Sequence, residues 1–213
     1  LFNEAIWGAF KGTLIVAVCC ALLAGTIGLL VGYCVSKNRR SKWAAYVNNM
    51  AFLQYLMPSL AVGVAFFVFG SSMGIFNTYL LLVLAGTVKY IPFASRSALS
   101  SMMQLSGEIE EAAIIQDIPW HKRMLNIIIP IQKSSIMSGY LLPFITCVRE
   151  LTLFMLLCSQ TKIITTMLDY FDEMGLYAFS SGINLILIVF ILICNALINK
   201  LTGASLDKGI GGE

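Results

Sequence analysis

Five apolar runs, each close to the length that carries a helix across a bilayer, leave this chain few ways to fold. A hydrocarbon core about 30 Å thick takes roughly 20 residues at 1.5 Å each. The runs cover about 12–35, 52–69, 78–93, 134–158 and 182–198. They are continuous rather than alternating, which argues against barrel strands and for helices, whose backbone polar groups are satisfied internally. The third run is short and ends at Lys89-Tyr90-Ile91-Pro92; Lys89 is expected to snorkel and so extend it. Only 12% of the 213 residues are charged, against 58% hydrophobic, and an ordinary soluble domain carries about a quarter. The expectation is an all-α membrane protein, a bundle of five transmembrane helices in one domain over 1–202. A Gly-rich tail over 203–213 is expected to fray in the cytoplasm.

Cations set the expected orientation. Lys37, Arg39, Arg40 and Lys42 follow the first run, Arg96, Lys122, Arg123 and Lys133 lie between the third and fourth, and Lys200 and Lys208 follow the fifth. The opposite loops hold Lys11 and Lys162. This bias places the N-terminus outside and the C-terminus in the cytoplasm, together with the segment over 100–133. A net charge of +3 is too small to argue for nucleic acid. The six cysteines lie in or beside apolar runs without metal-ligand spacing and read as small packing residues. Gly28-x-x-x-Gly32 is a small-xxx-small pattern that lets helices approach closely. The chain opens Leu1-Phe2-Asn3-Glu4 without Met or a recognisable signal peptide, and the expectation is a fragment of a longer protein.

The polar insert Glu108–Pro130 interrupts this pattern. Ser106-Gly107 followed by Glu108, Glu110 and Glu111 reads as a helix start, with acids where the helix dipole favours them. Ile114 and Ile115 supply an apolar face, and Asp117-Ile118-Pro119 ends the helix because Pro119 lacks an amide hydrogen. Trp120-His121-Lys122-Arg123 restarts a short basic piece that leads to Ile127-Ile128-Ile129-Pro130. Helix, turn, helix is the expected shape. From the residues alone it could enter a groove on a partner, or lie on the inner leaflet with Trp120 among headgroups and Lys122 and Arg123 on anionic lipid.

Glu111-Ala112-Ala113, three residues, Asp117, nine residues, then Ile127-x-Ile129-Pro130 resembles the EAA loop of permease subunits of bacterial binding-protein-dependent ABC importers. The family pattern has Gly at the Asp117 position and Leu at the Ile129 position. Asp can occupy a left-handed turn, though less readily than Gly. The segments Gly12–Arg40, Leu56-Met57-Pro58 and Tyr90–Arg96 also look like the family's, so the resemblance covers nearly the whole chain. Arg149-Glu150-Leu151-Thr152 is similar to the Arg-Glu-Leu of permeases for ferric iron and related substrates. Several of those are fused doubles, and the C-terminal half of such a chain is expected here.

The resemblance implies that Glu111, Ala112, Ala113, Asp117, Ile118, Pro119 and Trp120 form a coupling helix docked on a cytoplasmic ATPase subunit. It implies three further partners: a second permease half, an external solute-binding protein and membrane lipid. This chain is expected to bind no cofactor, with ATP and Mg held by the ATPase partner in a bacterial inner membrane. Ferric iron is the first expectation for the solute, and phosphonate, thiamine, sulfate or polyamine are alternatives. An ATP-independent transporter or channel is the alternative class.

Arg149 and Glu150 fall inside the fourth run, where each charge costs about 2.5–3.5 kcal/mol. They are expected in the translocation pathway, one lining it and the other pairing with a neighbouring span, since adjacent helical residues diverge by about 100°. The alternative is a structural clamp to backbone carbonyls or to a polar residue such as Asn184. Asp169, Asp172 and Glu173 are expected in an external loop as a solvated face, a binding-protein contact or hard ligands for a ferric ion in transit. An intramembrane enzyme is disfavoured, since His121, the one histidine, lies in the insert and the runs hold no aspartate pair. There is no G-x-x-x-x-G-K-[ST] phosphate loop either.

Overall fold

The computed structural model describes residues 2–202 and is helical, with no strand among the described residues. The expected tail over 203–213 lies outside the described residues. The long helix α1 (Phe2–Lys37) is followed by α2 (Lys42–Leu56), α3 (Ser59–Ser72) and α4 (Tyr79–Gln104). The insert forms α5 (Gly107–Ile115), α6 (Trp120–Arg123), a π-helical turn (Met124–Ile128) and the single turn α7 (Ile129–Ile131). Then come α8 (Lys133–Val148), a 3-10 turn (Phe154–Leu156), α9 (Ile164–Glu173) and α10 (Tyr177–Thr202). Two of these, α1 and α10, are by themselves long and apolar enough to cross a bilayer, and α2 with α3 pass only as a bent pair.

Three expectations need correction. The run 52–69 is not one straight helix: it breaks at Met57-Pro58 into α2 and α3, which meet at 101°. Pro58 cannot donate into a continuing ladder, and its ring forces Met57 into extended backbone, ψ 129°. Lys89 has a partner that the expectation did not include. Its Nζ donates to the Met57 carbonyl at 2.7 Å, satisfying an acceptor that the break strands. Finally, α8 stops at Val148 instead of 158, and the apolar residues beyond it turn back to fill the core through Leu153, Phe154 and Leu157.

Helix α9 was expected as an external loop. Its apolar residues recur at Ile164, Met167 and Phe171, all buried, while Asp172 and Glu173 face outward. That spacing of three and four is the mark of an amphipathic helix, though the run is too short and polar to cross a bilayer.

The bundle is organised on α1 and α4, which touch along most of their length. A Cβ on Gly28 would lie 2.5 Å from that of Ala94, and one on Gly32 would lie 2.7 Å from that of Ala98. Only glycine lets the two backbones come this close, so the small-xxx-small pattern marks a real contact. The main core joins α1, α4, α8, α9 and α10 around Cys20, Leu82, Val148, Phe154, Ile164 and Leu187. A second cluster at the Lys37 end of α1 gathers Leu29, Tyr33, Ala98, Met102, Met124, Ile128 and Ile136. It fastens the insert to the bundle.

Candidate functional site

Helix α5 stands on a buried ion pair. Glu110 is 6% exposed, its carboxylate pairs with the Lys37 ammonium and it accepts a hydrogen bond from the Tyr33 hydroxyl. Burial alone would push this carboxyl up, but Lys37 and Tyr33, helped by the charge of Arg123, outweigh it and hold the group below its ordinary range. The sequence reading missed this role for Glu110. Its signal is the spacing of three from Glu110 to Ala113, which puts both on one face of the helix; Ala113 is 4% exposed.

Facing outward on the same helix are Glu111 and Ala112. Ile114 is 50% exposed and Ile115 83%. The helix then ends in a Schellman motif, with Asp117 N–H donating to the Ile114 carbonyl at 2.9 Å and Ile118 N–H to the Ala113 carbonyl at 3.1 Å. Asp117 sits at φ 54°, in the left-handed region that the family's Gly adopts without cost. Pro119 begins the next turn, and Trp120, half-exposed, meets the Tyr33 ring edge-on at 6.2 Å. The π-helical turn follows, its widened ladder visible in Ile129 N–H donating to the Met124 carbonyl.

The structure therefore brings Glu111, Ala112, Pro119 and Trp120 to the surface and leaves Ile118 half-buried. It turns Ala113 inward, away from any docking surface. Two apolar side chains that the expected docking set omitted, Ile114 and Ile115, are the most prominent apolar groups on α5.

Arg149 and Glu150 do not lie within a helix. They follow the end of α8, so the divergence of about 100° expected of neighbours within a helix does not apply to them. Glu150 turns inward: it accepts from the Tyr90 hydroxyl at 2.7 Å and from Leu153 N–H at 2.9 Å, while its carbonyl accepts from the Thr165 hydroxyl at 2.9 Å. It braces α4, the segment after α8, and α9. Arg149 is exposed and borders a cavity of about 260 Å³ with Thr165, Asp169, Asp172 and Asn184. Among the described residues, no three His, Cys, Asp or Glu side chains converge to hold a metal ion. His121 is exposed on α6.

Residues 24–205 match the family described as binding-protein-dependent transport system inner membrane component. The inner membrane ABC transporter permease protein YcjP of Escherichia coli (strain K12) is 25% identical over 150 residues, which is 69% of this chain and 52% of that protein. The ferric transport system permease protein FbpB of Actinobacillus pleuropneumoniae is 22% identical over 191 residues, 88% of this chain and 28% of that one. The chain thus spans about half, or less, of the length of these curated relatives. A solved structure of the MetNI methionine ABC transporter in inward-facing conformations superposes with a TM-score of 0.80 at 14% identity, covering 95% of this chain and 94% of that one. That likeness shows a common fold. The chain belongs to the binding-protein-dependent transport system inner membrane components, the permeases of ABC importers.

Proposed function

We propose that this chain is the permease part of an ATP-driven importer, with five crossings, an external N-terminus and the α5 platform in the cytoplasm. The observation that carries the reading is that platform. An exposed patch of Glu111, Ala112, Ile114 and Ile115 stands on a rigid seat made by Glu110, Lys37 and Tyr33. A short helix with apolar knobs outward and a fixed base fits a groove on a soluble partner better than it fits lipid, because its outward face mixes apolar side chains with acids. The partner is an ATPase subunit that holds ATP and Mg, and the permease changes between inward and outward forms as that subunit closes. A second permease half and an external solute-binding protein complete the assembly.

Ferric iron is the proposed solute, since FbpB bears the name of a ferric transport system and Arg149-Glu150-Leu151 resembles the Arg-Glu-Leu of permeases for ferric iron. Phosphonate, thiamine, sulfate and polyamine are the alternatives. Arg149, open to the polar cavity, is the pathway residue of choice; Glu150 is a brace.

Affinity purification of the intact transporter tests the docking role. The unaltered chain is expected to bring down an ATPase subunit, and Glu111→Arg with Ile115→Asp to lose it while the chain stays in the membrane at its normal level. Retention of the ATPase by the double variant overturns the docking face. Absence of any ATPase from the unaltered protein overturns the importer reading.

A further inference from the structure

Helices α1, α8 and α10 do not close on one another along their whole length. Phe10 and Phe190 join α1 to α10 through an edge-on ring pair at 5.1 Å, and the residues from there toward the Lys37 end border an open space. They leave a wedge of about 620 Å³ lined by Val18, Leu22 and Leu29 of α1, Met137 and Leu141 of α8, and Leu197 of α10. The one hydroxyl in its wall is already used: Tyr140 shares a hydrogen bond with Thr26 at 3.2 Å, and Thr26 donates onward to the Leu22 carbonyl. No group in that wall calls for water.

The wedge runs about three helical turns from Val18 to Leu29, and its wall is apolar over that length. The cationic rim says what kind of occupant suits it. Lys133 is one turn before Met137 on the same face of α8, and Lys200 lies three residues beyond Leu197 on α10. Both are exposed, and neither forms an ion pair with a described residue.

We propose that the wedge holds one acyl chain of an anionic phospholipid from the cytoplasmic leaflet, with its phosphate between Lys133 and Lys200. Basic pockets between membrane helices on the cytoplasmic side suit such headgroups. The proposal rests on the orientation given under Proposed function, and its test reads lipid, not ATPase.

The test is native mass spectrometry of the intact, detergent-solubilised transporter given equal amounts of phosphatidylglycerol and phosphatidylethanolamine. Selective retention of phosphatidylglycerol is expected. Lys133→Gln and Lys200→Gln, both surface changes, are each expected to reduce it about fivefold, the worth of one basic residue at an anionic surface. Cys194→Trp, which narrows the wedge and leaves both lysines in place, is also expected to reduce it, with the ATPase still copurifying in all three variants. Equal retention of both lipids, or phosphatidylglycerol retained unchanged when both lysines are replaced, overturns the proposal. So does a disulfide between copies carrying Leu197→Cys, which would put a second copy's helix in the wedge.

Discussion

Glu110 and Asp117 do opposite things to the stability of the same short helix. Glu110 holds it down. Its carboxyl is depressed below the ordinary 4.5, so its contribution is fully present above that value and is lost as pH falls through the lower folded value. Because Lys37 is about one-third exposed, solvent screens part of the attraction. Glu110→Gln is expected to destabilise the protein by about 1–2 kcal/mol at pH 7, with the gap to the unaltered protein narrowing as the pH is lowered into the acid range where the carboxyl takes up its proton. Thermal unfolding in detergent at neutral and at acid pH checks this, and an equal gap at the two would refute it. Asp117 is the reverse case, an L-residue held at positive φ. Asp117→Gly is expected to raise stability by about 1 kcal/mol, read as a higher Tm, without loss of ATPase copurification.

The turn at Asp117 was legible because its spacing from Glu111-Ala112-Ala113 and from Pro130 marks it whatever residue stands there. The inward face of α5 was not. Nine residues give too little periodicity to tell Glu110 from Glu111, and the deciding partner, Lys37, is distant in the chain.

At the level of elements, long helices could be read from hydropathy and their interruptions could not. Pro58 and Pro143 look alike in the sequence, each inside an apolar run. Pro58 breaks its helix into two segments at 101°, while Pro143 lies buried inside an unbroken α8. What differs is the surroundings: Lys89 on α4 donates to the carbonyl at the broken end. Lys89→Met removes that donor while keeping the length of the side chain. It is expected to cost about 1–3 kcal/mol, because the Met57 carbonyl loses a charge-assisted bond. The yield of folded, monodisperse protein reports it, with an unchanged yield counting against the latch. The α9 helix escaped the sequence reading for a related reason: scanning for spans favours long apolar runs, and an amphipathic stretch of 10 residues passes for a loop.

For the molecule as a whole, the proposed roles of the two charges after α8, passage for Arg149 and support for Glu150, can be tested apart. Arg149→Gln is expected to lower solute uptake at least about tenfold, an effect on the scale of one lost charged contact, while the amount of folded transporter is unchanged. Glu150→Ala is expected to lower the folded amount instead, since it strands Tyr90 and Leu153 N–H together. Equal behaviour of the two variants in both assays would remove the distinction.

The pin between Lys37 and Glu110 has a mechanical consequence. A joint with slack absorbs a push before passing it on, whereas an ammonium locked to a carboxylate and flanked by a phenol has little play. Any thrust delivered to α5 from below is therefore received at the foot of α1. It then spreads sideways to α4 through the Gly28 and Gly32 seam, where only the methyls of Ala94 and Ala98 stand between the two rods.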